Sequence, residues 1–133
     1  MSPRVVLAAL PLLFPLTGCV VAAVAAGATY GIIRYEKNEA VHDLRHPAGR
    51  VWRAAQDALV GRGYRLPGGL DRELPESQDR AEIHGEGYWV EIEEQVGGWT
   101  RLRVRVGRFE SKETRRRAGL LVESIEDRLD RWR

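Results

Sequence analysis

Hydrophobic residues are distributed very unevenly along this chain. Positions 5–33 carry no charged residue, whereas charges are dense from Arg34 onward. The apolar run at 5–16 (VVLAALPLLFPL) has the length of the hydrophobic region of a signal peptide and is too short to span a bilayer. The pattern therefore predicts an N-terminal targeting part, followed by a single domain over 34–133.

Two segments of the domain have the spacing of amphipathic helices. The first has Pro47 in its first turn and ends at 61–63 (Gly-Arg-Gly), since glycine suits a C-terminal cap. Its apolar stripe consists of Val51, Trp52, Ala55, Ala58 and Leu59. The second begins at the N-cap Ser111, with Glu113 favourable in the first turn. Its stripe consists of Ala118, Leu121, Val122, Ile125, Leu129 and Trp132.

Alternation of apolar and polar residues predicts the strands. Residues 32–41 are predicted as one strand, 64–66 as a short optional strand, and 70–80 as a surface loop. The strongest β pattern covers 81–86, 88–93 and 100–106. These elements predict an α+β two-layer sandwich, an antiparallel sheet of three to four strands covered on one face by two helices. The predicted order is β-α-(β)-β-β-β-α.

The last hairpin has two allowed registers. The apolar residues of both strands must share a face, which excludes a two-residue loop at the glycine pair and allows loops of three or five residues. In one register Glu91 lies opposite Arg105 and Glu93 opposite Arg103. In the other, their partners are Arg103 and Arg101. Either register sets acid against base on the exposed face of the hairpin.

Trp89 and Trp99 lie near these arginines. Basic side chains next to aromatic rings are typical of surfaces that bind single-stranded nucleic acid. The glutamates opposite offset that charge, and 21 Lys and Arg against 19 Asp and Glu give a net charge of only +2. We therefore expect no nucleic-acid partner. Trp89 and Trp99 remain candidates for contact with a protein partner or a lipid.

A second basic group, Arg115-Arg116-Arg117, lies near the start of the last predicted helix. Positive charge there is unfavourable for the helix dipole, so we interpret these arginines as a candidate contact for a partner or an anionic lipid surface. The alternative is an ordinary solvated helix face.

The only cysteine, Cys19, follows the apolar run directly, in the order Leu16-Thr17-Gly18-Cys19. This order resembles the lipobox of bacterial lipoprotein signal peptides at all four positions. The resemblance implies cleavage of residues 1–18, diacylglycerol on the Cys19 sulfur, and usually acylation of its new amino group. A lone cysteine also excludes an internal disulfide.

The alternative for the N-terminus is an uncleaved transmembrane helix, because apolar residues continue to Ile33. Pro11 and Pro15 argue against it, since each proline disrupts an isolated helix. Residues 19–33 are then the acylated cysteine and an Ala-rich segment that serves as a spacer, lies on the membrane, or packs as a helix. Val20 is not the aspartate that tends to retain lipoproteins in the inner membrane of Gram-negative bacteria, so for a Gram-negative source we expect an outer-membrane anchor facing the periplasm.

Candidate chemistry is sparse. His42 and His46 have a spacing that suits a metal only on one helix turn, which Pro47 disfavours, and His84 lies between Glu82 and Glu86 on the solvent side of a predicted strand. No serine has a nucleophile frame and no glycine-rich stretch resembles a phosphate loop. We therefore expect no metal, no cofactor and no enzymatic activity.

Two longer segments, RVWRAAQDALVGRGY and TRLRVRVGRFESKETRRRAGLLVESIEDRL, resemble a family of small bacterial lipoproteins classed as a domain of unknown function. The Gly-Asp pair common in that family after the phenylalanine is replaced here by Glu110-Ser111. The resemblance implies an α+β periplasmic domain. Our leading hypothesis is a lipid-anchored, non-enzymatic module that binds envelope proteins or supports envelope structure. The alternative is a domain that binds a small ligand or lipid, with Tyr64, Trp89 and Trp99 lining a groove between sheet and helices.

Overall fold

The computed structural model of the protein describes residues 32–74 and 78–132. Its elements are β1 (Arg34–Glu36), β2 (Glu39–Leu44), α1 (Ala48–Gly61), β3 (Arg80–Gly85), β4 (Tyr88–Glu94), β5 (Thr100–Val106) and α2 (Lys112–Arg131). The strands form one antiparallel sheet in the order β1-β2-β5-β4-β3, and both helices pack on the sheet. The predicted α+β class is confirmed. The predictions for 1–31 lie outside the described residues.

The sheet has five strands rather than the predicted three to four. The segment predicted as one strand at 32–41 is a hairpin, in which the turn at Lys37 lets Arg34 pair with Val41. Residues 64–66 form no strand, because the Tyr64 amide donates to the Leu59 carbonyl (2.9 Å) at the end of α1. The element order is therefore β-β-α-β-β-β-α.

Each helix buries the stripe that its spacing predicts. All five predicted residues of α1 and the first five of the α2 stripe are buried, whereas Trp132, after the end of α2, is 40% exposed. Ser111 caps α2 as predicted: its hydroxyl accepts from the Thr114 amide while the Thr114 hydroxyl accepts from the Ser111 amide. Glu113 lies in the first turn.

The β4–β5 hairpin adopts the second predicted register. Glu91 pairs with Arg103 and Glu93 with Arg101, and residues 95–99 form a five-residue loop. Gly97 and Gly98 have φ angles of 104° and 80°, which side-chain-bearing residues rarely adopt. This register puts Val90 and Ile92 on the helix side with Leu102 and Val104, where all are fully buried.

The turns and loops of the domain group at the two ends of the sheet. The β1–β2 turn, the β3–β4 turn and the loop after β5 lie at one end, because Glu39 pairs with Arg105 and Tyr88 with Val106. The β4–β5 loop and the start of α1 lie at the other, where Leu44 and Glu94 flank Thr100. No described helix combines the length and apolar character needed to cross a bilayer.

Candidate functional site: the open face of the sheet

The face of the sheet that points away from the helices is covered by charged residues and carries Trp89, one of the candidate contact residues. Strand alternation places the charged positions of β2, β4 and β5 there, because their neighbours along each strand are in the apolar core. We call this surface the open face. Its residues are Glu39, Val41, Asp43, Glu82, His84, Trp89, Glu91, Glu93, Arg101, Arg103 and Arg105.

Asp43 is buried on the open face, and its side chain is 0% exposed. Arg101 donates to both carboxylate oxygens, from Nε at 2.8 Å and from Nη2 at 3.3 Å. Arg34 adds a contact of 3.4 Å from the neighbouring edge strand. The hydrogen bonds from Arg101 to Asp43 raise the pKa of the guanidinium and fix the Arg101 side chain.

Glu91 is the second buried carboxylate, with its side chain 4% exposed. It accepts from Arg80 on the edge strand and lies 3.6 Å from Arg103 on β5. The predicted acid–base pairing across the hairpin is therefore present, although Glu91 lies under the arginines rather than in solvent. The hydrogen bond to Glu91 is the main cause of a raised pKa for the Arg80 guanidinium.

Of the two candidate contact residues, Trp89 lies on the open face and Trp99 lies in the β4–β5 loop at its end. The Arg105 guanidinium lies 5.2 Å from the centre of the Trp89 ring, and Arg101 lies 5.1 Å from that of Trp99. His84 meets Trp89 edge to face at 6.3 Å. Both indoles are half-buried under arginines, so the surface combines aromatic rings with cations already held in place.

Tyr64 does not join the two tryptophans. It packs against Tyr88 on the helix side of the sheet, with ring centres 5.2 Å apart, and the Tyr88 hydroxyl donates to the Arg65 carbonyl at 2.7 Å. Burial raises the pKa of the Tyr88 hydroxyl. A groove between sheet and helices lined by Tyr64, Trp89 and Trp99 is therefore wrong, because the sheet separates them.

Two cavities lie along the open face. One of about 510 Å³ lies by the β3–β4 turn and is lined by His84, Trp89, Arg105 and Arg108 among others. Another, of about 340 Å³, lies over Glu91 and is lined by Arg80, Trp89 and Arg103 among others. A third, of about 480 Å³, lies at the edge of the helix layer beside Trp52. The lining of the first has two arginines and one glutamate, which suits polar or anionic groups, whereas that of the second has three glutamates and two arginines.

The histidines have separate environments. His42 is 1% exposed; its Nδ1 lies 3.0 Å from the Ile32 carbonyl and its Nε2 lies 3.2 Å from a Glu126 carboxylate oxygen. His84 lies on the open face, where its hydrogen bond with Glu82 (2.6 Å) lowers the pKa of that carboxyl. Within 32–74 and 78–132, no three His, Cys, Asp or Glu side chains are grouped as a metal site would require.

The basic group of α2 is exposed but not isolated. Arg115 pairs with Glu110, and Glu113 lies 3.6 Å from Arg116 and accepts from Arg117 at 3.0 Å. The two Glu113 contacts are i,i+3 and i,i+4 pairs on the helix surface, and each stabilises the helix by only about 0.2–0.5 kcal/mol. The arginines remain accessible to a partner.

No protein-family model matches the chain, and no match to a curated protein is found. The resemblance to small bacterial lipoproteins therefore stays a prediction. Cys19 lies outside the described residues, so its lipidation also stays a prediction.

Proposed function

We propose that the chain is a bacterial envelope lipoprotein, anchored through lipid on Cys19 and facing the periplasm from the outer membrane. The order Leu16-Thr17-Gly18-Cys19 carries this proposal, since it places a lone cysteine directly after a signal-like apolar run. Several acyl chains on one residue make an effectively stable anchor, at about 0.8 kcal/mol per buried methylene.

We further propose that the domain is non-enzymatic and binds an envelope protein through the open face. Asp43 fixes Arg101, which lies over Trp99, and Glu91 pairs with Arg80 and Arg103. Arg105 lies over Trp89. Arginines and aromatic rings already in place lose little side-chain freedom when a partner docks, which favours binding. Protein interfaces are enriched in these residue types.

The anchor is tested by mass spectrometry of the mature protein, compared with its Cys19→Ser variant. We expect a chain beginning at Cys19 with acyl groups attached, and loss of the variant from the membrane fraction. An intact Met1, or a mature chain with an unmodified Cys19, would refute the anchor.

The binding face is tested by photo-crosslinking in intact cells. A photoreactive residue at position 93, on the open face, is expected to capture an envelope protein. The matched control is position 123, an exposed glutamate on α2. Equal capture at both positions, or none at 93, would contradict the proposed face.

A small-ligand role is the second candidate, and the cavity of about 510 Å³ beside Arg105 and Arg108 favours it. Its cationic wall suits an anionic ligand. Native mass spectrometry of protein released from membranes is expected to show a bound mass that Arg105→Gln loses. A spectrum with the protein mass alone would exclude this candidate.

A further inference from the structure

The loop between β5 and α2 holds an aromatic side chain out in solvent. Phe109 is 81% exposed, although large aromatic residues normally contribute to a core. The surrounding backbone is fixed: the Gly107 amide donates to the Gly87 carbonyl at 2.8 Å, and the Thr114 hydroxyl donates to the Phe109 carbonyl at 3.0 Å. The exposure of Phe109 is therefore built into the loop.

Positive charge surrounds this ring. Residues 108–117 contain five bases and two acids, a net charge of +3 that exceeds the +2 of the whole chain. The bases are Arg108, Lys112, Arg115, Arg116 and Arg117. The neighbouring turns at the same end add one base, Lys37, and one acid, Glu86, which leave the balance at +3. We call Phe109 with these five bases the basic tip.

The opposite end of the sheet provides a contrast. Val96 in the β4–β5 loop is also an apolar side chain fully exposed to solvent. Its loop follows Glu93 and Glu94 and contains no basic residue between 93 and 99. The β5–α2 loop is therefore apolar and basic, whereas the β4–β5 loop is apolar without basic residues, and the two lie about 20 Å apart for strands of this length.

We propose that the basic tip docks on the surface of an anionic lipid bilayer, with Phe109 inserted among the head groups. An exposed ring flanked by Lys and Arg is the combination that binds membrane interfaces, since apolar insertion and attraction to anionic lipid act together. This inference rests on the proposed lipid anchor at Cys19, which keeps the domain beside the membrane.

The tether is long enough for this docking. Ile32 lies beside His42, away from the tip, and residues 20–31 separate it from Cys19. The thirteen Cα steps from 19 to 32 span at most about 45 Å, which exceeds the length of the sheet. Docking at the tip would hold the strands upright on the membrane and present the open face sideways to a partner.

The test uses a single fluorophore on the acylated protein in vesicles, because acylation of Cys19 leaves no other thiol. Phe109→Cys and Val96→Cys are labelled separately and reconstituted in phosphatidylcholine vesicles with or without phosphatidylglycerol. We expect the label at 109 to be shielded from an aqueous quencher only with phosphatidylglycerol and at low salt. The label at 96 is expected to stay accessible throughout.

A charge-matched pair of variants tests the electrostatic part. Arg108→Gln with Lys112→Gln, added to Phe109→Cys, is expected to lower the ratio of docked to free domain about 25-fold, or about fivefold per cation removed. The control neutralises Arg72 and Arg131, which lie on the loop after α1 and in the last turn of α2. The control is expected to retain shielding.

Three results would overturn the docking. The first is equal access of the quencher to the labels at 109 and 96 in vesicles with phosphatidylglycerol. The second is an equal loss of shielding at 109 in both charge variants. The third is shielding at 109 that appears only in intact envelopes. The last result would indicate an acidic protein partner instead of lipid.

Failure of the anchor is recognised separately, because the unsubstituted protein would then take up label at Cys19. In that event the Cys19→Ser, Phe109→Cys chain is added to the same vesicles, and shielding at 109 decides the docking alone.

Discussion

The two faces of the sheet are buried by different means. On the covered face, Ile92, Leu102 and Val104 are fully buried by apolar contacts with α1 and α2. On the open face, Val41 and Asp43 are equally buried, yet neither helix covers them. The arginines of the sheet itself lie over them, since Arg34 and Arg103 flank Val41, and Arg101 binds Asp43.

The two faces are expected to contribute differently to the free energy of folding. Apolar burial on the covered face is the dominant favourable term in folding. A buried ion pair contributes little net stability, because desolvation of the charges offsets their attraction, but removal of one partner is costly. The open face therefore keeps charged groups in fixed positions at small net gain, which agrees with the binding role proposed for it.

The largest expected effect is on the covered face. Leu121→Ala in α2 removes a fully buried side chain between helix and sheet, so we expect the free energy of unfolding to fall by about 2–5 kcal/mol. Urea unfolding followed by tryptophan fluorescence measures it. The control is Glu123→Ala, an exposed change on the same helix, which should stay within about 0.5 kcal/mol. A loss below about 1 kcal/mol for Leu121→Ala would show that the helix layer is loosely packed.

The next effect is on the open face. Asp43→Asn keeps the shape of the side chain but removes the charge that holds Arg101 and Arg34, so we expect a loss of about 1–3 kcal/mol. Glu93→Gln is the matched control, because Glu93 is only half-buried on the same face and should cost less than about 0.5 kcal/mol. Equal losses from both variants would remove the distinction between buried and surface carboxylates.

Much of the covered face could be predicted from sequence alone. The stripes of α1 and α2 and the alternation of β5 repeat over many residues, so the period determines which positions are buried. The β1–β2 hairpin could not be predicted from the sequence, because its turn at Lys37 contains neither glycine nor proline. A segment without a strong turn signal is easily interpreted as one strand.

The candidate site was predicted in part. The pairing of Glu91 with Arg103 follows from register, which the apolar pattern restricts to two choices. The burial of Asp43 and Glu91 could not be predicted, because it depends on the positions of guanidinium groups that three other strands provide. The exposure of Phe109 could not be predicted either, because the residue lies in a loop, where hydrophobic periodicity carries no signal.

The smallest expected effect tests whether the outer arginines of the open face matter for stability at all. Arg105→Gln removes the cation over the Trp89 ring and a 4.0 Å contact with Glu39, and Arg105 is partly exposed. A cation over an exposed ring contributes about 0.5–1 kcal/mol, so the unfolding free energy should fall by no more than that. The same urea unfolding, with Arg101→Gln beside it, measures the difference. Arg101→Gln should cost more, because it removes both hydrogen bonds that Arg101 donates to the buried Asp43. The opposite order would place the stabilising pair at the outer edge of the face.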